Sequence, residues 1–479
     1  MPRLRLPLIF ALLIAAEAGA EPPVKPAVDP AVLARIREAA MSSNWAYQRL
    51  ADLTDHLGPR LSGSPQAELA VTQVAAALRG VGLQVSLQPV KVPHWVRGEE
   101  KAELVEYPGR HSGVTQKLAL TALGGSTATP PEGLIAPVLV VHSLEDLQAH
   151  AAEAKNRIVV FEMPFDQNLA DSGLAGVAYL TAGEARFKGP AAAAKLGAAA
   201  ALVRSIGGAD YRLPHTGATL WDDNGPQIPA AALSAEDAML VERLATQGAV
   251  SIHLTLTPQM LPEVDSHNVI ADIPGRDKPD EVVLVSGHLD SWDLAQGAID
   301  DGAGVTAAMG AGHIIKSLGL QARRTIRVVA WMNEENGGSG HKAYFEANKE
   351  HIGNQIAAIE SDLGAGRPLG VGADVPLPAM EALKPLIAAL LPIGAPALAH
   401  RDDAPGADIA PLVKAGVPGF EPIVDTRSYF NYHHTAADTL DKVEPENLRR
   451  QVAVLAVLTY YLADMPEPLP RLAVESEKK

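Results

Sequence analysis

Val282-Val283-Leu284-Val285-Ser286-Gly287-His288-Leu289-Asp290 is the stretch that decides the fold. Its opening apolar run, mostly β-branched, predicts a strand buried on both faces. A polar loop follows, then an apolar helical stretch from Ala303 to Leu318 and a second apolar strand, Ile326-Arg327-Val328-Val329-Ala330. Strand, loop, helix and strand in that order predict an α/β architecture, a mixed and mostly parallel sheet with helices on both faces. Ligands of such sheets gather beyond the carboxyl ends of the strands, which is where His288 falls.

Acidic and imidazole clusters recur after the neighbouring strands. Asp290 is placed to accept the second ring N–H of His288 and so set its tautomer. Gly297-Ala298-Ile299-Asp300-Asp301-Gly302-Ala303-Gly304 forms an acidic turn before the helix. Asp301 alone reads equally well as a helix N-cap, but two adjacent Asp residues repel unless a cation neutralises them. Trp331-Met332-Asn333-Glu334-Glu335-Asn336-Gly337-Gly338 ends another apolar strand, and there one Glu can bind metal while its neighbour acts as a base. Ile359-Glu360-Ser361-Asp362 and Tyr432-His433-His434-Thr435 complete the set. Taken singly, each cluster also fits a helix cap or a solvated loop. Jointly they supply two imidazoles and three carboxylates, a ligand set suited to a pair of zinc ions about 3.5–4 Å apart; one catalytic zinc would use only three protein ligands.

Outward from this segment, the 479 residues are enough for two folded units. Helical periodicity runs from Val32 to about His56 and, after the turn Gly58-Pro59-Arg60-Leu61-Ser62-Gly63-Ser64, from Pro65 to Arg79. Between about Gly124 and Pro262 short strands such as Val138-Leu139-Val140-Val141 alternate with helical stretches at Leu144 to Ala154 and Ala191 to Leu196. Pro-rich joins on both sides mark this as a smaller inserted α/β unit. The expected division is a signal peptide over 1–20, a first part of the catalytic domain over 21–123, the insert over 124–262, a second part with the metal site over 263–470, and a tail over 471–479. Residues 1–20 show a basic start, an apolar run from Leu6 to Ala16 and Ala18-Gly19-Ala20, which predicts export to the periplasm or the medium. That run is too short to span a bilayer, so no stable membrane association is expected once it is removed. A net charge of −16 and 4% aromatic residues argue against nucleic-acid partners. There is no cysteine, so a metal site must use His and carboxylates.

Ser286-Gly287-His288-Leu289-Asp290-Ser291-Trp292-Asp293, continued by Gln296-Gly297-Ala298 and Asp300-Asp301-Gly302, resembles the zinc aminopeptidase and glutamate carboxypeptidase superfamily, and within it the carboxypeptidase Q group. Thr129-Pro130-Pro131-Glu132-Gly133, Pro214-His215-Thr216-Gly217 and Glu360-Ser361-Asp362 extend the likeness over nearly the whole mature chain. The resemblance implies a zinc exopeptidase fold with an inserted protease-associated domain and two zinc ions. It makes Asp300 the bridging ligand, His288 and Asp362 ligands of one ion, Glu335 and His434 ligands of the other, and Glu334 the base. It also implies a cis peptide after the bridging Asp, peptide substrates with dipeptides foremost, and a homodimer as a plausible assembly. An aminopeptidase for longer peptides shares every ligand; an inactive receptor-like homologue and a single-zinc glutaminyl cyclase are more remote alternatives. Some relatives carry Tyr immediately before the last His ligand as an oxyanion helper. Here that position is His433, with Tyr432 one residue earlier, and His215 either lines the cleft or closes a turn. Arg60 reads as structural.

Overall fold

The computed structural model describes residues 28–208 and 211–474. The expected signal segment, 1–20, and the last residues of the expected tail lie outside the described residues. Among those described, no helix is long and apolar enough to cross a membrane.

The chain builds two eight-stranded sheets. In the first, the strands run in the order Gln84–Val96, Gln259–Ile273, Arg324–Trp331, Lys278–His288, Gln355–Glu360, Gly419–Val424, Pro368–Asp374 and Ala397–His400. Four adjacent members, from Arg324–Trp331 to Gly419–Val424, are mutually parallel, and antiparallel pairs flank them. The expected mixed, mostly parallel sheet is present. The central parallel strands carry near-continuous apolar runs because both of their faces are covered. Val283, Val285, Ile326 and Val328 pack into the core that contains helices Ala303–Ser317 and Pro445–Asp464. Leu284, Val329 and Trp331 meet Tyr344 and Leu412 on the other side.

Register positions the chemistry. His288 pairs with Trp331 and Ser286 with Glu360, so these strands end level with one another. The residues that follow, Glu334, Glu335 and Asp362, therefore emerge on the same edge as His288.

The N-terminal helical period divides into Pro30–Met41 and Trp45–His56, because Ser42-Ser43-Asn44 interrupts it. Ser64 caps the next helix, Pro65–Gly80, by accepting the Ala67 N–H at 3.2 Å.

The second sheet runs Gln116–Leu118, Glu100–Glu106, Ser251–Leu256, Leu134–Val141, Ile158–Phe161, Ala200–Arg204, Ala230–Leu233 and Leu120–Ala122. Three of these strands precede residue 124, in chain that the sequence reading assigns to the first unit; they reach this sheet by antiparallel pairing. Chain leaves the first sheet through Gln84–Val96 and returns through Gln259–Ile273, which pair antiparallel with Val96 opposite Gln259. The helical stretch expected at 191–196 is the end of a much longer helix, Ala175–Lys195, which contains Pro190.

Candidate active site

Five side chains from the first sheet's carboxyl edge converge, although their positions span residues 288 to 434. His288 Nε2 lies 3.3 Å from Asp300 Oδ1 and 3.3 Å from Asp362 Oδ1. His434 Nε2 lies 3.1 Å from Asp300 Oδ2 and 3.0 Å from Glu335 Oε2. Asp300 thus turns one oxygen toward each histidine. The Asp300-Asp301 peptide is cis.

Both imidazoles are oriented by main-chain carbonyls. His288 Nδ1 is 2.9 Å from the Asp290 carbonyl oxygen, and His434 Nδ1 is 3.2 Å from that of Thr216. A carbonyl only accepts, so each Nδ1 carries a proton and each Nε2 is free to face a cation. The Asp290 carboxylate does not take the ring N–H of His288: its Oδ1 is 3.9 Å away and accepts the Asn333 and Glu334 backbone N–H groups at 2.7 and 3.1 Å. Asp290 therefore holds the turn that carries Glu334 and Glu335.

Other groups secure the acidic turn. Asp301 accepts from the His288 N–H and, like an N-cap, from Gly304 N–H, each at 3.0 Å. A side chain at Gly304 would strike both the Ser361 carbonyl and the Asp301 carboxylate, so the helix start requires glycine. Asp438, given no role by the sequence reading, accepts from Ala298, Ile299 and Asp300 N–H groups at 2.8, 2.7 and 3.3 Å. The Arg60 guanidinium is fully buried and donates to the carbonyls of Gly58, Leu289, Gln296 and Gly297, which is a structural role.

Electrostatics calls for added positive charge. The buried carboxylates outnumber the imidazoles. Burial, reinforced by Asp300, pushes the Glu335 carboxyl up to about 7. Burial also drives Glu334 well above the usual carboxylate range, with Asp362 and Glu335 adding to the effect and His288 opposing it. Asp300 Oδ2 and Glu335 Oε1 are buried without a hydrogen-bond donor. Such groups are costly unless a cation compensates them. Ligand atoms of His288, Asp300 and Glu335 lie within 4.8 Å of one another, as do those of His288, Asp301 and Asp362, and those of Asp300, His433 and His434. The oxygens of Asp301 are engaged by backbone donors, which leaves Asp300 and Asp362 as the freer carboxylates beside His288. The residues present fit metal ions.

A cleft of about 530 Å³ opens over this cage, lined by Asp300, Glu334, Glu335, Asp362, His433 and His434. His433 stacks on His434 at 3.6 Å between ring centroids, and its Nε2 is 3.3 Å from Asp300 Oδ2. Tyr432 is not among the lining residues and has the Lys442 ammonium over its ring; the tyrosines lining the cleft are Tyr429 and Tyr179, 5.0 and 5.1 Å from the His433 ring. No motif pointed to Tyr429, because the short turn Tyr429–Asn431 sets which aromatic faces inward. His215 is buried near His434, and among the described residues neither ring nitrogen has a hydrogen-bond partner; burial, with His434 and Arg186 nearby, pushes its pKa down to about 3.

Side chains able to hold metal ions at the carboxyl edge of a mixed α/β sheet, with the buried Glu334 carboxyl beside them, are what a metallopeptidase requires. Comparison with known proteins agrees. A sequence profile described as Peptidase family M28 matches residues 268–459. Carboxypeptidase Q of Bos taurus is 40% identical over 435 residues, covering 90% of this chain and 88% of the relative. A crystal structure described as a peptidase M28 precursor from Shewanella amazonensis superposes with a TM-score of 0.87 at 37% identity, covering 93% of this chain and 98% of that one. A zinc aminopeptidase from Bacillus subtilis shares the fold, with a TM-score of 0.62 at 19% identity over 87% of this chain and 94% of its own. The chain belongs to peptidase family M28.

Proposed function

We propose that this protein is an exported two-zinc exopeptidase that hydrolyses dipeptides or short peptides. The observation that carries this reading is the pair of three-acceptor cages sharing Asp300. In it, Asp300 would be shared by two ions, with His288 and Asp362 holding one and Glu335 and His434 holding the other. When bound, the ions supply Lewis acidity for activating water and polarising the scissile carbonyl.

The chain's own groups carry the protons. Glu334 takes a proton from the attacking water onto its carboxylate and passes it to the leaving nitrogen. Asp290 keeps that carboxylate in place through the Asn333 and Glu334 N–H groups. Burial and the nearby Asp300 and Asp362 hold the Tyr429 hydroxyl well above the ordinary tyrosine range, so it stays protonated and can donate to the developing oxyanion. His433, stacked on His434 and tilted against Tyr429, orients that edge of the site. The unit built on the second sheet is read as a protease-associated insertion, supported by the paired strands at its junction. Export rests on the order of basic, apolar and small residues in 1–20.

Metal analysis of the purified protein should give two zinc equivalents per chain. Glu334→Gln should keep both while peptide hydrolysis falls by about 10²–10⁴-fold. One equivalent per chain, or hydrolysis unchanged in the metal-loaded variant, would sink this reading.

A further inference from the structure

Arg186 is a buried cation that faces the cleft. It sits on the helix Ala175–Lys195 of the second unit, is only 3% exposed, and lines the cleft together with Asp300, Glu334, Glu335 and Asp362. The other buried arginines have partners: Arg324 pairs with Glu281, and Arg60, without an ion pair, donates to four main-chain carbonyls; the half-buried Arg97 pairs with Asp293 and Glu100. Among the described residues Arg186 forms no ion pair, its Nε is buried without an acceptor, and its one polar contact is a long 3.4 Å approach of Nη1 to the Thr216 carbonyl. A desolvated guanidinium without an anion is a standing cost that a carboxylate arriving in the cleft would relieve.

The surroundings hold the group ready. Its guanidinium lies over the rings of Phe187 and Tyr179, 4.5 and 5.3 Å from their centroids, which fixes its plane. Pro190 cannot donate the helical hydrogen bond to the Arg186 carbonyl. The Thr219 hydroxyl donates to that carbonyl instead, at 2.9 Å, and Leu220 N–H donates to the Phe187 carbonyl at 3.0 Å. These bonds tie the helix to the loop that supplies the Thr216 carbonyl to His434. Gly217 leaves the space the guanidinium fills, since a Cβ there would strike it.

We propose that Arg186 receives the free α-carboxylate of the substrate, so that the cleft selects peptides ending one residue beyond the scissile bond, dipeptides foremost. This rests on the hydrolase reading above and deepens it. In a dipeptide the free carboxylate lies one residue past the scissile carbonyl, so its receptor must share the cleft with the metal cage, as Arg186 does. A planar fork of N–H donors matches a carboxylate with two parallel hydrogen bonds. Lys342, the other cation of the cleft wall, is exposed and already donates to the Gly337 carbonyl at 2.7 Å.

The test compares an unblocked dipeptide with its C-terminal amide, on wild type, Arg186→Gln, Arg186→Lys and Lys342→Met, with zinc content checked for each. Wild type should prefer the acid by about 10–100-fold in kcat/KM. Arg186→Gln should collapse that ratio toward one, chiefly through KM; Arg186→Lys should restore part of it, and Lys342→Met should preserve it. An acid-to-amide ratio near one in wild type overturns the proposal even if no Arg186 variant folds. So does a ratio unchanged in Arg186→Gln, or one lost in Lys342→Met. Calorimetric binding of the same two ligands to zinc-loaded Glu334→Gln separates the two readings. Preferential binding of the acid supports Arg186 even if wild type cleaves neither ligand, a result that would sink the hydrolase reading alone.

Discussion

The two eight-stranded sheets contribute to the site in opposite ways. The first delivers acids and imidazoles from the ends of parallel strands: His288, Asp300, Glu334, Glu335, Asp362 and His434 all follow its members. The second delivers none of these. It contributes a main-chain carbonyl at Thr216, a buried cation at Arg186 and the buried ring of His215. The first sheet builds a site that gathers positive charge, and the second places groups that orient the site and complement a substrate. A fold able to host many cleavage specificities would vary the second while keeping the first.

The strongest way to break this contrast is at the shared oxygen pair. Asp300→Asn should release both ions and lower hydrolysis by about 10³-fold or more, because it alone faces both histidines. Retention of two zinc equivalents in that variant would mean that the sheet edge does not depend on a bridging carboxylate. A smaller effect is expected one layer out. Asp438→Asn weakens acceptance from three consecutive N–H groups and should cost about 10–100-fold in zinc affinity, read by competition with a chelator. An unchanged affinity would show that the acidic turn is held by Arg60 and Asp301 alone.

The mildest prediction concerns the second sheet. His215 stays neutral in the fold, with its pKa lowered from 6.5 to about 3, whereas the unfolded chain takes up a proton as the pH falls below 6.5. The unfolded state then binds more protons, so stability rises with pH across that window and is lost on acidification. Melting temperatures followed from about pH 7 down to about pH 4 should show this slope, and His215→Asn should flatten it. An identical slope in the variant would assign acid sensitivity to the carboxylate cage.

Legibility followed the same divide. The run Val282 to Val285 could be read directly, because a strand buried on both faces is apolar whatever surrounds it. The acidic and imidazole clusters were visible because each follows a strand and most lie in glycine-rich turns. The helix Ala175–Lys195 was missed apart from its last turn, since Gly176, Gly183, Gly189 and Pro190 are poor helix formers and no clean apolar stripe marks it. Tyr429 escaped notice for a different reason: proximity in sequence favours Tyr432, while the turn before His433 buries the earlier ring in the cleft. Asp290 was legible as a supporting acid but not in its partner, because a backbone carbonyl competes for the same imidazole N–H.

By itself the sequence determined the α/β class, the order of strands and helices around His288, and which residue types stand at the strand ends, all of which are set by local periodicity and composition. Only the tertiary structure decided which oxygen of Asp300 faces which histidine, that the Thr216 carbonyl orients His434, and that Arg186 lies in the cleft without an ion pair among the described residues. Those relations join residues as far apart as 216 and 434. Contacts at that separation depend on how the two sheets pack, and no local pattern encodes packing.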